Sequence, residues 1–289
     1  MIINLNKELN IIRKDPKLVF TLPFALIVLI ILYLLKFFFF IRFGFLHSDR
    51  IGHFAMNTEL AILEDKEFNN KSILDLYYFG GKICNKYLGE KWSEKLNILP
   101  HFLIRPFCLI SRKLKIFRHN VAGSTTSSDN DVYNLFEKYP AQLKLSNSEI
   151  EKGYRKLKEI GIPKNSKFIC LIVRDEDYLS KIYGAKQKYH NFRNMNIDLF
   201  ENAVKMLVNK GYYVLRMGNY TKSKLNINNH KYVDYSKSKI KSDFMDVFLG
   251  SRCFFCISTN TGFDAIPVIF RKPILFIGSV PLGIFTYSY

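Results

Sequence analysis

Polar residues that could bind an anion follow three apolar, strand-like runs in the second half of the sequence. Arg174 and Asp175 follow the run "FICLIV", Arg216 and Gly218 close the run "YYVLRMG", and a hydroxyl-rich turn follows the run "FCI". The carboxyl ends of parallel strands lie along one edge of a sheet, which is where open α/β sheets bind ligands. The order of these segments therefore predicts that their polar side chains meet in one site.

The hydroxyl-rich turn has the composition of a phosphate-binding element. It consists of Ser258, Thr259, Asn260, Thr261 and Gly262, and an apolar, helix-like run follows it. Hydroxyl groups and the free N–H groups at a helix N-terminus can donate hydrogen bonds to phosphate oxygens. Serine, threonine and asparagine are also the residues that ordinarily cap helices. The turn by itself is equally consistent with a phosphate cradle and with a plain cap.

A second polar segment, "KYHNFRNMNIDLF", adds His190, Arg193 and Asn194 to the connection that follows "FICLIV". Guanidinium groups bind phosphate oxygens through paired hydrogen bonds, and they stabilise the charge that builds on a diphosphate leaving group. Together with Arg174 and Arg216, these residues predict a site for the diphosphate of a donor molecule. The alternative is an ordinary turn in which an asparagine caps the helix that follows.

The runs that must position these residues alternate between strand-like and helix-like patterns. The run "SKFICLIV" is continuously apolar, as in a strand buried on both faces. The run "DLFENAVKMLVNKG" has apolar residues at helical spacing and ends in glycine. Such alternation over short connections is typical of βαβ units around a parallel sheet. The sequence therefore predicts the α/β fold class.

A domain boundary is predicted near residues 146–165. Ser146 followed by Glu149 has the pattern of a capping box, which marks the start of a helix between the two halves. A chain of 289 residues is also longer than most single domains. The predicted units are an N-terminal segment at 1–38, a first domain at 39–150 and a second domain at 151–289.

The N-terminal segment contains an uncharged run from Leu18 to Leu35, "LVFTLPFALIVLIILYLL". This run is long enough to cross a bilayer or to lie deep in it. An N-terminal hydrophobic membrane segment is therefore part of the predicted fold, and association with the plasma membrane is expected. The alternative is a buried core helix followed by the first strand, because Pro23 and Lys36 interrupt the apolar pattern.

Composition narrows the classes of function. The formal net charge is +18, but residues 1–164 and 165–289 contribute +9 each, so the charge is diffuse and nucleic acid is not expected as a partner. The five cysteines are odd in number and lie in apolar runs, which indicates buried thiols in a reducing compartment. The motifs GxGxxG, GxxxxGK[ST] and HExxH are absent, so neither a bound cofactor nor a metal ion is predicted.

Five segments, in order along the chain, resemble a family of bacterial glycosyltransferases of the two-domain GT-B type, found among genes for surface polysaccharide synthesis. They cover most of residues 41–283. The segments are "RFGFLHSDRIGHFAMNTEL", "LIVRDEDY", "YHNFRNMNID", "GYYVLRMGN" and "VDYSKSKIKSDFMDVFLGSRCFFCISTNTGFDAIPVIFRKPILFI".

The resemblance implies two Rossmann-like domains that face each other across a cleft, with a nucleotide-sugar donor held by the C-terminal domain and no obligatory metal. It places "RDEDY", "HNFRN", "RMG" and "STNTGFD" on the donor side. The implied reaction transfers a sugar to a saccharide or lipid-linked acceptor at the cytoplasmic face of the inner membrane. Relatives in this family continue with closing helices after the last strand, so a truncation at Tyr289 would leave the C-terminal domain without part of its cover.

The same resemblance makes the loop "LHSDRIGHF" face the donor from the N-terminal domain. His53 or Asp49 is expected there as the general base for the acceptor hydroxyl, and histidine is the better match to neutral pH. The alternative for His53 is a half-buried histidine that caps the next helix. Two other functions remain open, namely transfer of a phosphopolyol group from a cytidine nucleotide on the same fold, and a non-catalytic role in polysaccharide assembly at the membrane.

Overall fold

The computed structural model describes residues 15–38, 40–68, 73–123, 130–174, 192–219 and 225–279. In these residues the chain forms two parallel sheets, one of three strands and one of five. Helices connect the strands in both halves. This architecture belongs to the α/β class.

The first sheet and its helices come from the N-terminal half. The strands are β1 (Phe40–Leu46), β2 (Ile73–Phe79) and β3 (Asn97–Ile98). The helices are α1 (Leu18–Leu34), α2 (Ile51–Phe68), α3 (Lys86–Ser93), α4 (His101–Lys113) and α5 (Leu135–Lys138), with a 3₁₀ helix at Lys115–Asn120. β1 and β2 pair in parallel over their full length, so the polar residues that follow both strands lie at one edge.

The second sheet follows the connecting helix α6 (Asn147–Lys158). Its strands are β4 (Phe168–Ile172), β5 (Tyr213–Arg216), β6 (Tyr232–Val233), β7 (Phe255–Ser258) and β8 (Ile274–Phe276). Its helices are α7 (Glu201–Asn209), α8 (Asp243–Arg252) and α9 (Ala265–Ile269), with 3₁₀ helices at Ile197–Phe200 and Tyr235–Lys237. The central strand β4 is buried along its whole length, which is why its sequence is continuously apolar.

The strand order of the second sheet reverses between β4 and β7. From β4 the chain adds β5 and β6 on one side, and it then returns to add β7 and β8 on the other side. At such a switch point the two neighbouring connections leave the sheet in opposite directions, which opens a crevice where α/β proteins bind ligands. The residues that follow β4 and β7 therefore occupy the most favourable position for a site.

The predicted capping box at the start of α6 is confirmed. The Ser146 hydroxyl accepts a hydrogen bond from the Glu149 N–H at 3.3 Å, and the Glu149 carboxylate accepts one from the Ser146 N–H at 2.7 Å. Glu149 also accepts a hydrogen bond from the Tyr87 hydroxyl at 2.8 Å and pairs with Lys91 at 3.0 Å. These contacts attach the connecting helix to α3 in the first half.

The predicted N-terminal membrane segment is wrong as a part of the fold. The apolar run forms α1, a helix of 17 residues, and among the residues that the structure describes no helix is long and apolar enough to cross a membrane. Ala25 and Leu29 on one side of α1 are buried against Ile104 and Cys108 of α4. The fold-class prediction is therefore corrected to two parallel sheets with a packed N-terminal helix.

A shared core joins the two halves. Phe54 and Leu63 of α2 and Trp92 of α3 belong to the same buried cluster as Ile266 and Ile269 of α9. The side chains of these five residues are fully buried, so the two sheets are held against each other by continuous apolar packing. Burying a large aliphatic or aromatic side chain contributes about 1.5–3 kcal/mol. The relative position of the halves is thus determined by the core rather than by a flexible connection.

One buried ion pair crosses this core. The Arg271 guanidinium donates hydrogen bonds to the fully buried carboxylate of Glu59 at 2.9 Å and to the Tyr139 carbonyl at 3.1 Å. Arg271 has a left-handed backbone, with φ of 57°, and its side chain also donates to the Ile269 carbonyl at 2.8 Å. Burial raises the pKa of Glu59 to about 7, and the charge of Arg271 only partly opposes this rise.

The buried carboxyl of Glu59 predicts a pH-dependent stability. Because its pKa is raised in the folded chain, the stability it contributes is fully present below the ordinary pKa of 4.5 and is lost as the pH rises through about 7. We expect the free energy of unfolding to fall by up to about 3 kcal/mol over this range, at about 1.4 kcal/mol per pKa unit. Urea unfolding at successive pH values measures the change.

The matched variants are Glu59→Gln and Glu90→Gln. Glu59→Gln should remove a large part of the fall in the free energy of unfolding with pH. The rest of the fall comes from other buried carboxyl groups. The exposed Glu90 serves as the control and should leave the profile as it is in the unmodified protein. Identical profiles for all three proteins would contradict the assignment to Glu59.

Candidate functional site

The candidate site lies at the switch point, where the segments after β4 and β7 are hydrogen-bonded to each other. The backbone N–H of Arg174 donates to the Thr259 hydroxyl at 2.8 Å. The Thr259 N–H in turn donates to the Ile172 carbonyl at 3.2 Å. These bonds hold the start of the Arg174 segment beside the hydroxyl-rich turn, as the order of the strands predicted.

A buried carboxylate organises the turn. Asp264 accepts hydrogen bonds from the Ser258 hydroxyl and from the Thr261 N–H, both at 2.7 Å. The Ser258 hydroxyl accepts from the Asn260 N–H at 3.1 Å, and Asn260 has the left-handed φ of 62° that asparagine tolerates. Burial raises the pKa of Asp264 to about 6. Asp264 ends the segment "STNTGFD" that the resemblance puts on the donor side, and it stands three residues after Thr261 in a capping pattern.

The amide groups of this turn are largely used inside it. Besides the bonds from Asn260 and Thr261, the Phe263 N–H donates to the Thr261 hydroxyl at 3.2 Å. The turn is therefore held in one shape by its own side chains. Most of the affinity for an anion must come from the cationic groups beside it.

Two arginines supply that charge. Arg193 donates through Nη2 to the Asn260 carbonyl at 2.9 Å and to its side-chain oxygen at 3.3 Å. The Nε atoms of Arg174 and Arg193 are buried and have no hydrogen-bond partner among the described residues. Burial lowers the pKa of Arg174, and the positive charge of Arg193 lowers it further. Two half-buried guanidinium groups thus repel each other beside the turn, and an anion between them would relieve the repulsion.

The asparagines in this segment differ in role. Asn196 caps the 3₁₀ helix Ile197–Phe200 by accepting a hydrogen bond from the Asp198 N–H at 3.1 Å, which agrees with its prediction as a cap. The side-chain oxygen of Asn194 is buried with no hydrogen-bond partner among the described residues. Asp175 and His190 lie outside the described residues, so their predicted roles stay predictions.

The structure places Arg216 one strand further from the turn. Arg216 is buried in β5, on the same face as Val214 and close to Tyr232. Burial raises the pKa of Tyr232 to about 12, and the nearby charge of Arg216 opposes this rise. Beside the end of this strand, the Lys241 ammonium donates to the Gly218 carbonyl at 2.8 Å. Lys241 is a cation at the strand edge that the sequence analysis missed, because it is distant in sequence.

The first half brings a histidine-bearing loop to the same turn. A Cβ atom added to Gly52, at the start of α2, would lie 3.1 Å from the Gly262 Cα. Next to Gly52, the half-buried His53 has its ring centroid 5.8 Å from that of His47. Asp49 is exposed in the loop between them. The structure thus adds His47 to the candidates, which only the folding of the strand–helix turn brings near His53.

Comparisons with known proteins bear on the fold. No family model matches this sequence, and no curated protein matches it. A glycosyl transferase family 9 structure from Veillonella parvula is similar with a TM-score of 0.51 and 12% identity, over 82% of this chain and 80% of that one. ADP-heptose LPS heptosyltransferase II from Escherichia coli is similar with a TM-score of 0.45 and 9% identity, over 81% of this chain and 83% of that one.

At these identities the likeness shows a shared fold and no more. The chain therefore has the α/β fold of the family 9 glycosyl transferase structure. Substrates and catalytic residues have to be argued from the site of this chain.

The paired guanidinium groups predict how anions change stability. We expect inorganic pyrophosphate to raise the melting temperature of the protein, because a bound anion offsets the repulsion between Arg174 and Arg193. Arg174→Met should melt at a higher temperature than the unmodified protein without pyrophosphate, and it should lose most of the response to pyrophosphate. Differential scanning fluorimetry measures both effects. A variant of the exposed Lys210, Lys210→Met, is the control and should respond fully.

Proposed function

We propose that this protein is a glycosyltransferase of the GT-B type that uses a nucleotide-sugar donor. The observation that carries the proposal is the pair of half-buried, mutually repelling guanidinium groups of Arg174 and Arg193 at the switch point of the second sheet, whose Nε atoms are buried. The similar fold of the family 9 glycosyl transferase supports the class of reaction. The proposed reaction belongs to the synthesis of surface polysaccharides or glycolipids at the cytoplasmic face of the plasma membrane.

The donor diphosphate is proposed to lie between these arginines and the turn. Arg193 is already oriented by its two hydrogen bonds to Asn260, so little conformational freedom is lost when a phosphate binds. As the glycosidic bond to the diphosphate breaks, negative charge builds on the leaving oxygen. Guanidinium groups that are fixed and partly desolvated stabilise this charge without a metal ion.

The acceptor is proposed to approach from the first half. The close contact of Gly52 with Gly262 puts the start of α2 directly against the hydroxyl-rich turn. His53 would remove the proton of the acceptor hydroxyl, since an imidazole titrates near neutral pH. Asp49 in the preceding loop is the second candidate for this role.

Arg193→Ala is expected to lower turnover of the nucleotide sugar strongly while the protein stays folded. Loss of one group that stabilises the leaving charge typically lowers the rate by about 10²–10³-fold. The donor is first identified by thermal shift with a panel of nucleotide sugars and cytidine-diphospho-polyols, and release of the nucleotide is then measured. Arg252→Ala, on an exposed arginine of α8, is the control. Stabilisation by a cytidine-diphospho-polyol alone would instead indicate phosphopolyol transfer.

The general base is tested by comparing His53→Gln with Asp49→Asn. We expect His53→Gln to lower kcat by about 10²–10⁴-fold, the usual contribution of a positioned base, with KM for the donor nearly unchanged. Asp49→Asn should retain most of the activity and the acidic limb of the pH profile. If Asp49→Asn loses activity and His53→Gln retains it, the base is Asp49.

A further inference from the structure

An exposed apolar surface remains on the first half after α1 has packed onto α4. One side of α1 is buried, but its outer side and the turn after it expose large apolar side chains to solvent. Among the most exposed are Phe20 at 82%, Phe24 at 65%, Ile27 at 59%, Leu34 at 70%, Phe37 at 86% and Phe38 at 81%. Contiguous apolar surface of this kind marks a site of interaction with another apolar phase.

The segments that form this surface carry no negative charge. Residues 16–48, which contain α1 and β1, have no aspartate or glutamate, and neither do residues 95–128, which contain α4. The second of these segments has six lysines and arginines. A surface built from these two segments is therefore apolar and positively charged. The nearest acidic residues in the sequence come just before and just after each segment.

The basic residues lie at one end of the apolar surface. Asp15, just before α1, pairs with Arg105 in the first half of α4 at 2.7 Å, and Tyr33 near the end of α1 contacts Phe117 at 6.2 Å between ring centroids. The two helices thus run side by side in the same direction. Their ends bring together exposed basic residues from α4 and the 3₁₀ helix, and the half-buried Lys36. The exposed residues are Arg112, Lys113, Lys115 and Arg118.

This basic end is connected to the candidate base by aromatic contacts. The Arg112 guanidinium lies 4.3 Å from the centroid of the Phe45 ring, and the Phe45 ring lies 4.7 Å from that of His47. His47 is next to His53. The basic end of the surface therefore adjoins the edge of the first sheet where the acceptor is proposed to bind.

We propose that the outer side of α1 and the basic end of α4 form a docking surface for an anionic lipid bilayer. Apolar side chains would enter the boundary between headgroups and acyl chains, and the lysines and arginines would contact lipid phosphates. The contact is peripheral, with α1 lying along the membrane. A second copy of this chain fits the surface less well, because its matching surface has no acidic residues to pair with the basic end.

The docking surface also assigns the class of acceptor, and this part rests on the proposed function. A membrane that contacts Arg112 would present an acceptor with a lipid anchor close to His47 and His53. The acceptor hydroxyl would reach the donor turn without leaving the membrane surface. The proposed glycosyltransferase would thus act on lipid-linked saccharides.

The test is sedimentation of the full chain with vesicles. Vesicles of equal parts phosphatidylglycerol and phosphatidylcholine should bind the protein, and vesicles of phosphatidylcholine alone should bind it more weakly. Lys113→Glu/Lys115→Glu should lower the partition coefficient on the anionic vesicles by about tenfold or more. Each basic residue close to the membrane surface adds to the attraction to anionic lipids, and each glutamate is repelled by them. Phe20→Ser/Phe24→Ser/Ile27→Ser should lower binding to both kinds of vesicle.

The matched control is Leu199→Ser/Lys210→Glu, which changes exposed apolar and basic residues of the second half and should bind like the unmodified protein. All variants should keep the pyrophosphate response, so a failure to bind vesicles is distinguishable from a failure of the donor site. Equal binding by the variants and the unmodified protein would overturn the proposal. So would a dimer, detected by light scattering, that Phe20→Ser/Phe24→Ser/Ile27→Ser converts to monomer.

Discussion

The packing of α2 against α9 is the constraint on which the rest of the structure depends. It buries one apolar core between the two sheets, and it brings Gly52 and Gly262 so close that a side chain on either residue would crowd the backbone of the other. Because of this contact, the histidine-bearing loop of one half and the hydroxyl-rich turn of the other lie side by side in one candidate site. The ion pair between Glu59 and Arg271 fixes the same interface further along α2.

Within the site, one charged side chain orders the turn and another lies close to a like charge. Asp264 holds the turn through Ser258 and Thr261, and its negative charge lies near Arg193. Arg174, in contrast, is close to another positive charge and is partly buried. Such an arrangement costs free energy, and an anion bound between the two guanidinium groups would recover that cost. The proposed donor diphosphate would therefore meet groups that are already in position to stabilise its charge.

The N-terminal helix α1 has an exposed apolar side whose position bears on the candidate site. α1 is apolar on all sides, yet only the side against α4 is buried. A helix of this composition is normally covered on every side. The basic end of α4 beside it contacts Phe45 through Arg112, and Phe45 contacts His47, so a partner that covers both α1 and this end would lie close to the candidate site.

The sequence by itself determined the local structure and much of the topology. The continuous apolar run of β4 predicted a central strand, Ser146 and Glu149 predicted a helix start, and alternating strands and helices predicted parallel sheets, because these patterns depend on neighbours in sequence. Only the tertiary structure decided that α1 packs on α4, that Arg174 lies beside Arg193 while Arg216 lies beside Tyr232, and that Lys241 contacts Gly218. These are contacts between segments that are distant in sequence. The type of an apolar or charged residue does not specify which distant residue it will contact in the folded protein.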